Sequence, residues 1–257
     1  MVPDWVNLPL VFVIITAATG AVVLLDRFYL RPQREAGNVT EVPAYVDFSR
    51  GFFPIFAVIL VLRSFVFEPY RIPSESMVPT LLIGDFVVVN KYSYGLRLPV
   101  TNTLIWETGA PKRGDVAVFR KPEEPNVNFI KRVVGLPGDR LDYGSDHVLR
   151  VNGEPVAIVR TGTFRNADNE GLLFDETLGD VVHPILIQTT WTKPFTRIVG
   201  PDCYFMMGDN RDRSHDSRYN DIGCVPSENL VGRATRIWLS WQLWDMPRWG
   251  RIGNKIQ

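Results

Sequence analysis

The chain has 257 residues, of which 46% are hydrophobic and 22% charged, and its 28 Lys and Arg are balanced by 28 Asp and Glu. This length allows a sizeable core, and a balanced charge without clustered basic runs argues against a nucleic-acid partner. The two cysteines lack a CxxC spacing and the three histidines form no HExxH arrangement, so we expect no metal site.

The first apolar run covers residues 8–25 and reads LPLVFVIITAATGAVVLL. Its length matches the roughly 18 to 20 uncharged residues that span the hydrocarbon core of a bilayer. A secretory signal peptide fits less well, because no Lys or Arg precedes the run and no small-x-small cleavage site closes it. We therefore predict a first transmembrane helix over residues 8–25, after a short N-terminal segment 1–7.

A second apolar run, FFPIFAVILVLRSFVF, predicts a second transmembrane helix over residues 51–67. The run is short and contains Arg63, so a buried core segment is the alternative. Aromatic flanks and the position of Arg63 near one end, where its long stem can reach the headgroups, favour a span.

Lys and Arg near span ends mark the cytoplasmic side of a membrane protein. None precedes the first run, whereas the connector 26–50 carries four: Arg27, Arg31, Arg34 and Arg50. We therefore expect a cytoplasmic connector, with residues 1–7 and 68–257 outside the cytoplasm. If the second run did not span, residues 68–257 would instead be cytoplasmic.

Residues 68–257 show short β-branched and aromatic runs between turn residues, which predicts a mainly β domain. Asn152-Gly153 predicts a two-residue type I′ hairpin turn. The more polar interval of about 144–201 is typical of a subdomain inserted into the core.

Whether Cys203 and Cys224 pair is left open by the sequence. Near the C-terminus, Trp238 is expected to pack in the core. For Trp241, Trp244 and Trp249, core packing and bilayer contact are equal alternatives.

The segment RIPSESMVPT places Ser74 and Ser76 on a proline-stiffened stretch just after the second apolar run. A serine needs a neighbouring base to become a nucleophile, and the chain has no G-x-S-x-G motif. His215 lies in a polar loop and reads as a solvated side chain. A lysine can act as the base if desolvation lowers its pKa, and Lys131 in FIKRVVG shares a strand face with Phe129 and Val133. An ordinary edge-strand lysine is the alternative.

Four segments together resemble the motif boxes of bacterial type I signal peptidase, a Ser/Lys-dyad peptidase family. They are RSFVFEPYRIPSESMVPTLLIGD, PKRGDVAVF, FIKRVVGLPGD and GDNRDRSHDSRY…VP…NLVGRA, in the family's order and rough spacing. The resemblance is weakest over about 144–201. The resemblance implies two transmembrane helices followed by an all-β catalytic domain with an inserted β subdomain. It also implies that the protein lies in the bacterial cytoplasmic membrane, with the catalytic domain on the periplasmic side.

The resemblance also implies residue roles. Ser76 would be the nucleophile and Lys131 the general base, while Ser74 and the Ser76 N–H would bind the developing oxyanion. Ser214 would hydrogen-bond and orient the lysine. Asp216 and Arg218 would form a supporting ion pair, and Asp209 and Asn210 would be structural members of the same loop. The pocket walls would be Ile72, Met77, Leu81, Phe129 and Ile130.

The implied reaction is removal of the signal peptide from exported preproteins by cutting after a small residue, through an acyl-enzyme and without a metal or organic cofactor. The partners would be preproteins and the lipid bilayer, and the enzyme would be monomeric in the membrane. Glu75 departs from the family pattern, where glycine is frequent, and we expect it to be exposed. Phe129 stands where tyrosine is familiar.

Three other readings are compatible with parts of the sequence. A specialised Ser/Lys peptidase of a conjugation or secretion system would share most of the boxes. A self-cleaving repressor would need a DNA-binding domain in place of the spans, and none is visible. A membrane-anchored β-domain without enzymatic activity would use the serine segment as a rigid turn.

Overall fold

The computed structural model describes residues 8–38, 41–189, 192, 194–242 and 245–257. The expected N-terminal segment 1–7 and Trp244 therefore lie outside the described residues. The chain divides into two units, each described here by itself: Met1–Glu68 with Leu96–Glu107, and Pro69–Gly95 with Thr108–Gln257.

The first unit is mainly helical. Two helices, over Pro9–Ala36 and Ala44–Val66, are long and apolar enough to cross a membrane. Their segments in chain order are α1 (Leu8–Leu25), a π-helical stretch (Asp26–Leu30), α2 (Arg31–Ala36), α3 (Ala44–Val61) and a second π-helical stretch (Leu62–Val66).

The connector expected over residues 26–50 is largely helical, and α3 begins at Ala44 rather than at residue 51. An apolar run marks only the part of a helix that contacts lipid, whereas the helix itself continues until a residue stops it. Here Pro43, in an extended conformation, precedes the first turn of α3.

The two long helices pack against each other within the first unit. Gly20 of α1 lies against the ring of Phe53 in α3, and a side chain at that position would overlap the ring. At the end of α1 the buried carboxylate of Asp26 binds both Arg34 and Arg50. Two of the four arginines that set the expected orientation are thus paired with one acid.

Strands are the main regular secondary structure of the remaining described residues, which confirms the prediction of a mainly β fold following two apolar helices in the chain. In chain order they are β1 (Phe67–Arg71), β2 (Asp85–Asn90), β3 (Leu96–Arg97), β4 (Leu104–Trp106), β5 (Val116–Arg120), β6 (Asn128–Gly135), β7 (Arg140–Tyr143), β8 (Leu149–Val151), β9 (Glu154–Pro155), β10 (Ile158–Arg165), β11 (Glu170–Leu178), β12 (Val181–Ile187), β13 (Phe195–Ile198), β14 (Cys203–Met207), β15 (Val225–Pro226) and β16 (Leu230–Ser240).

The largest sheet has the strand order β1-β2-β16-β5-β6-β14-β15. Strand β6 lies in its middle, antiparallel to both β5 and β14, with Lys131 opposite Ala117. Residues 131–135 of β6 are all buried, so both faces of this strand are covered. A central strand of this kind loses the simple alternation of buried and exposed residues.

The chain between β6 and β14 leaves the large sheet and forms two smaller sheets, ordered β13-β7-β8-β9 and β10-β11-β12. The inserted region therefore begins with β7 at Arg140, before the expected boundary near residue 144, because β7 pairs with β13. It also shares a core with the large sheet, in which Leu141 and Leu149 pack with Phe205 and Met207. Asn152 and Gly153 join β8 to β9 with positive φ angles of 54° and 89°, as a type I′ turn requires.

Cys203 and Cys224 form a disulfide, with their Cα atoms 5.6 Å apart. Cys203 opens β14 and Cys224 precedes β15, and these two strands are paired. The bond therefore closes the loop 203–224, which carries the motif GDNRDRS.

Trp238 does not occupy the core position expected from its strand-like setting. It lies on β16 between the buried Ile237 and the half-buried Leu239, and its own side chain is 46% exposed. Its ring packs edge-on against Phe86 at a centroid distance of 5.7 Å. Trp241 and Trp249 are also exposed.

Candidate active site

The serine segment lies between β1 and β2. Backbone hydrogen bonds from Ile72 and Gly84 close this loop at its base. Within it, Leu81 N–H donates to the Met77 carbonyl, so the chain turns directly after Ser76. Ser76 is buried whereas Ser74 is exposed.

Lys131 of β6 meets Ser76 directly. Its Nζ lies 2.6 Å from Ser76 Oγ and 3.0 Å from the Ile130 carbonyl oxygen. The side chain is only 4% exposed, and Nζ lies 5.3 Å from the centroid of the Phe129 ring. An amine and a hydroxyl thus share a site that water reaches poorly.

Burial lowers the pKa of Lys131 to about 8, from a usual value of 10.5. The carboxylates of Asp216 and Asp209 oppose this shift, while the Arg218 guanidinium supports it. About a tenth of the amine is then neutral at pH 7 and about nine tenths at pH 9. A neutral amine can accept the proton of a neighbouring hydroxyl.

Ser74 and Ser214 were both expected beside the dyad, and the structure brings both there. Ser74 Oγ lies 3.4 Å from Ser76 Oγ. Ser214 Oγ is buried without a hydrogen-bond partner among the described residues, although it lies close enough to Asp216 to contribute to the lowered pKa of that carboxyl. The expected hydrogen bond from Lys131 to Ser214 is not formed, because the amine lies against Ser76 Oγ and the Ile130 carbonyl instead.

The loop after β14 supplies two buried carboxylates. Asp209 binds the Arg132 guanidinium through both oxygens, at 2.8 and 2.7 Å, and accepts a third hydrogen bond from Thr80. Asp216 binds Arg218 in the same two-point manner, at 2.8 Å for each contact, and accepts the N–H of Gly208. Burial alone would raise the pKa of both carboxyls, but these arginines hold them well below their usual range.

Gly208 allows the loop to approach the serine segment. A Cβ atom at this position would overlap the carbonyl oxygen of Ser76 and the hydroxyl of Ser214. Glycine is therefore required here by close packing.

Four further buried groups in and beside the loop were not anticipated from the sequence. Glu176 of β11 binds Arg211 through both carboxylate oxygens, and His183 Nε2 of β12 lies 3.2 Å from Glu176 Oε2. Burial would raise the pKa of Glu176, but Arg211 brings it to about 2. Arg132 was also missed as the partner of Asp209. Such ion pairs join residues far apart in the chain, so no local pattern identifies them.

The expected pocket residues fall into two groups. Ile72, Met77 and Leu81 are fully buried in the core beneath the serine segment, together with Val87 and other aliphatic side chains. Phe129 and Ile130 are half-buried, at the start of β6. Only the second pair has surface that a ligand could touch in this structure.

Glu75 is half-buried rather than exposed, because its carboxylate lies 3.5 Å from Arg213 of the loop. His215 is half-exposed and lies 2.9 Å from Asp221. Lys131 therefore remains the titratable group in contact with Ser76 among the residues that the structure describes.

Comparisons with known proteins agree with the resemblance seen in the motifs. A family described as "Signal peptidase, peptidase S26" matches residues 45–241. Signal peptidase I of Pseudomonas fluorescens is 43% identical over 284 aligned positions, covering 96% of this chain and 98% of that protein. Signal peptidase I of Pseudomonas aeruginosa gives the same values. That of Haemophilus influenzae is 32% identical, covering 92% of this chain and 88% of the relative.

Among solved structures, a signal peptidase I from Enterococcus faecalis V583 is 26% identical, covering 48% of this chain and 96% of that chain, with a TM-score of 0.33.

Proposed function

The chain belongs to the signal peptidase family, peptidase S26, and we propose that it is a membrane-anchored signal peptidase that removes N-terminal signal peptides from exported preproteins. Ser76 is the nucleophile, Lys131 the general base, and the cut follows a small residue. The observation that carries this proposal is the 2.6 Å contact between Lys131 Nζ and Ser76 Oγ inside a site that water reaches poorly.

In the first step Ser76 Oγ attacks the carbonyl carbon of the scissile bond while Lys131 Nζ takes the serine proton. The lysine ammonium then gives that proton to the leaving amine, and the signal peptide remains attached to Ser76 as an ester. A water molecule, deprotonated by the same amine, hydrolyses the ester and restores the serine. The lowered pKa of Lys131 supports both proton transfers, because the amine is largely neutral in mildly alkaline solution.

The oxyanion that forms during attack needs hydrogen-bond donors. We assign this role to the Ser76 N–H and the Ser74 hydroxyl, whose oxygen lies 3.4 Å from Ser76 Oγ. Removing one such donor typically weakens transition-state binding by roughly 3 kcal/mol.

The loop residues hold the base in place. Asp216, fixed by Arg218, and Asp209, fixed by Arg132, lie near enough to moderate the fall in the Lys131 pKa. Ser214 is assigned to orient the amine, which requires its hydroxyl to turn toward Lys131 when substrate binds. Within the described part of the chain its oxygen has no hydrogen-bond partner, which leaves it free to do so.

The substrate is expected to bind as an extended strand beside Ile72–Ser74 and Phe129–Lys131. Main-chain pairing would supply affinity, and shallow pockets would select small side chains. Phe129 and Ile130 are the residues whose half-buried surfaces can form such pockets, with Ile72, Met77 and Leu81 as the packed floor.

We further propose that the enzyme lies in the bacterial cytoplasmic membrane as a monomer, with residues 68–257 on the periplasmic side. The four arginines between the two apolar runs of the sequence support a cytoplasmic connector. Protease treatment of intact spheroplasts tests this orientation. The C-terminal domain should be degraded without lysis, and its protection until lysis would reject the assignment.

The decisive experiment replaces Ser76 by Ala in the full chain in detergent and measures cleavage of a purified preprotein. We expect cleavage to fall to background while the thermal unfolding temperature stays near that of the wild type. Ser145→Ala, which removes an exposed hydroxyl between β7 and β8, is the matched control and should cleave normally. Normal cleavage by the Ser76→Ala variant would reject the Ser/Lys assignment.

A further inference from the structure

The turn of the inserted hairpin β10–β11 reaches the loop beside the nucleophile. Asn166 Oδ1 accepts the N–H groups of Asp168 and Asn169, at 2.9 and 2.7 Å, which fixes the shape of this turn. Asn169 is only 2% exposed, although hairpin turns normally lie at the surface. A primary amide buried in this way needs hydrogen-bond partners.

Those partners are two other amides. Asn169 Oδ1 accepts from Asn210 Nδ2 and from Gln188 Nε2, each at 3.0 Å. Gln188 Nε2 also donates to Asn210 Oδ1 at 2.8 Å. The three side chains form a closed triangle in which each amide determines the direction of the next.

The triangle ends on the serine segment. Asn210 Nδ2 donates to the Glu75 carbonyl at 3.1 Å, and the Asn210 N–H donates to the Ser76 carbonyl, also at 3.1 Å. A backbone carbonyl can only accept, so the amide nitrogen of Asn210 must face Glu75. The second hydrogen on that nitrogen then needs another acceptor, which Asn169 supplies.

The Glu75 carbonyl belongs to the same peptide group as the Ser76 N–H. In a trans peptide the C=O and N–H bonds point in opposite directions, so fixing the carbonyl also fixes the N–H. A hydrogen bond to the carbonyl polarises the peptide and makes its N–H a stronger donor. The Glu75 carbonyl also accepts the Val78 N–H at 3.1 Å, so Asn210 is the side chain that, together with this turn, fixes the Ser76 N–H, and Asn169 fixes Asn210.

We propose that Asn169, in the inserted hairpin, is a positioning residue for the oxyanion donor of Ser76, acting through Asn210. This inference rests on the proposed function of Ser76. It makes the turn of the inserted region part of the catalytic apparatus, although this region shows the weakest resemblance to the family motifs.

The test compares Asn169→Leu with the wild type in the full-length enzyme. Leucine has nearly the same volume but no acceptor for Asn210. Thr161→Val is the control, because it removes a side-chain hydrogen bond from the same hairpin without touching the triangle. We expect kcat to fall about tenfold with KM unchanged, a smaller effect than loss of a direct oxyanion donor.

A second readout separates positioning from folding. A peptide aldehyde with a small terminal residue forms a hemiacetal, in which Ser76 Oγ bonds the aldehyde carbon and the serine proton passes to the new hydroxyl. The matching peptide alcohol binds without reacting. Asn169→Leu should weaken binding of the aldehyde about tenfold and leave that of the alcohol unchanged, because only the tetrahedral adduct uses the oxyanion donor.

If the Asn169→Leu variant fails to fold, the Gln188→Leu variant takes its place, because Gln188 is half-buried and donates to both other amides. The same two changes are expected for it. An unchanged kcat, a change in KM alone, or equal weakening of aldehyde and alcohol would each overturn the inference. If the Ser76→Ala variant retained cleavage, the proposed function would fail instead, so the two failures are distinguishable.

Discussion

Replacing Lys131 by Met should abolish cleavage. It should also remove the free-energy cost that the buried lysine ammonium imposes on the folded state. The pKa of Lys131 is about 8 in the folded chain and 10.5 for an ordinary lysine. Each unit of pKa difference corresponds to about 1.4 kcal/mol, so the buried ammonium costs the fold roughly 3 kcal/mol below pH 8. Methionine fills a similar volume and carries no charge.

The sign of the pH dependence follows from proton binding. Between pH 8 and 10.5 the unfolded chain holds the Lys131 proton while the folded chain has released it, so wild-type stability rises with pH across this window. The Lys131→Met variant lacks this titration. Its stability advantage over the wild type should therefore shrink by roughly 3 kcal/mol in total between pH 8 and 10.5.

Methionine also removes the contacts to Ser76 and the Ile130 carbonyl, worth about 1 kcal/mol each, so the absolute advantage at pH 7 is smaller than the pH-dependent change. The assay is urea unfolding of both proteins in detergent at several pH values. A difference in unfolding free energy that stays constant between pH 8 and 10.5 would refute the lowered pKa.

Three further predictions concern the residues around the dyad. Asp209→Asn removes the charge that neutralises the fully buried Arg132, and we expect the unfolding free energy to fall by about 3 to 5 kcal/mol, measured by urea unfolding; a change below about 1 kcal/mol would contradict the buried pairing. Ser214→Ala should lower kcat while changing stability by less than about 0.5 kcal/mol, because the hydroxyl has no hydrogen-bond partner among the residues that the structure describes. A large loss of stability with normal kcat would give Ser214 a structural role. Replacing both Cys203 and Cys224 by Ser should cost about 3 kcal/mol of stability, as expected for a bond between residues 21 positions apart; an unchanged unfolding midpoint would argue against the disulfide.

Much of the site could be predicted from the sequence because its chemistry lies in short, distinctive segments. Ser76 lies on a proline-flanked turn, and Lys131 occurs among apolar residues in a strand, so each local setting carries information. The structure then brings residues 55 positions apart to hydrogen-bond distance. The two apolar helices were also visible, the second less clearly because its run contains Arg63, since a long and mostly uncharged run is itself the physical requirement for crossing lipid.

What could not be predicted depends on tertiary pairing. Arg132 follows Lys131 directly, and strand alternation would direct it to the exposed face, yet β6 is covered on both faces and Arg132 is fully buried against Asp209. The triangle of Asn169, Gln188 and Asn210 likewise joins three distant segments. No periodicity identifies such partners, because their burial is stable only once all of them are in place.

The boundaries of elements were predicted less well, for a related reason. Composition located the apolar part of α3 but not its first turns, which follow Pro43 and are polar on one side. Ile72, Met77 and Leu81 were assigned to a pocket wall, whereas they pack in the core beneath it. Sequence indicates that a residue is apolar, but not which side of a surface its side chain occupies.

The most direct test of the Ser/Lys mechanism is titration of the Lys131 amine itself, by ¹⁵N NMR of lysine-labelled full-length enzyme, alongside the pH dependence of kcat/KM. The Lys131→Met variant identifies the resonance. We expect the amine to titrate near pH 8 and kcat/KM to rise through the same pH. An amine that stays protonated up to about pH 10.5 while kcat/KM is already maximal at neutral pH would contradict a lysine base.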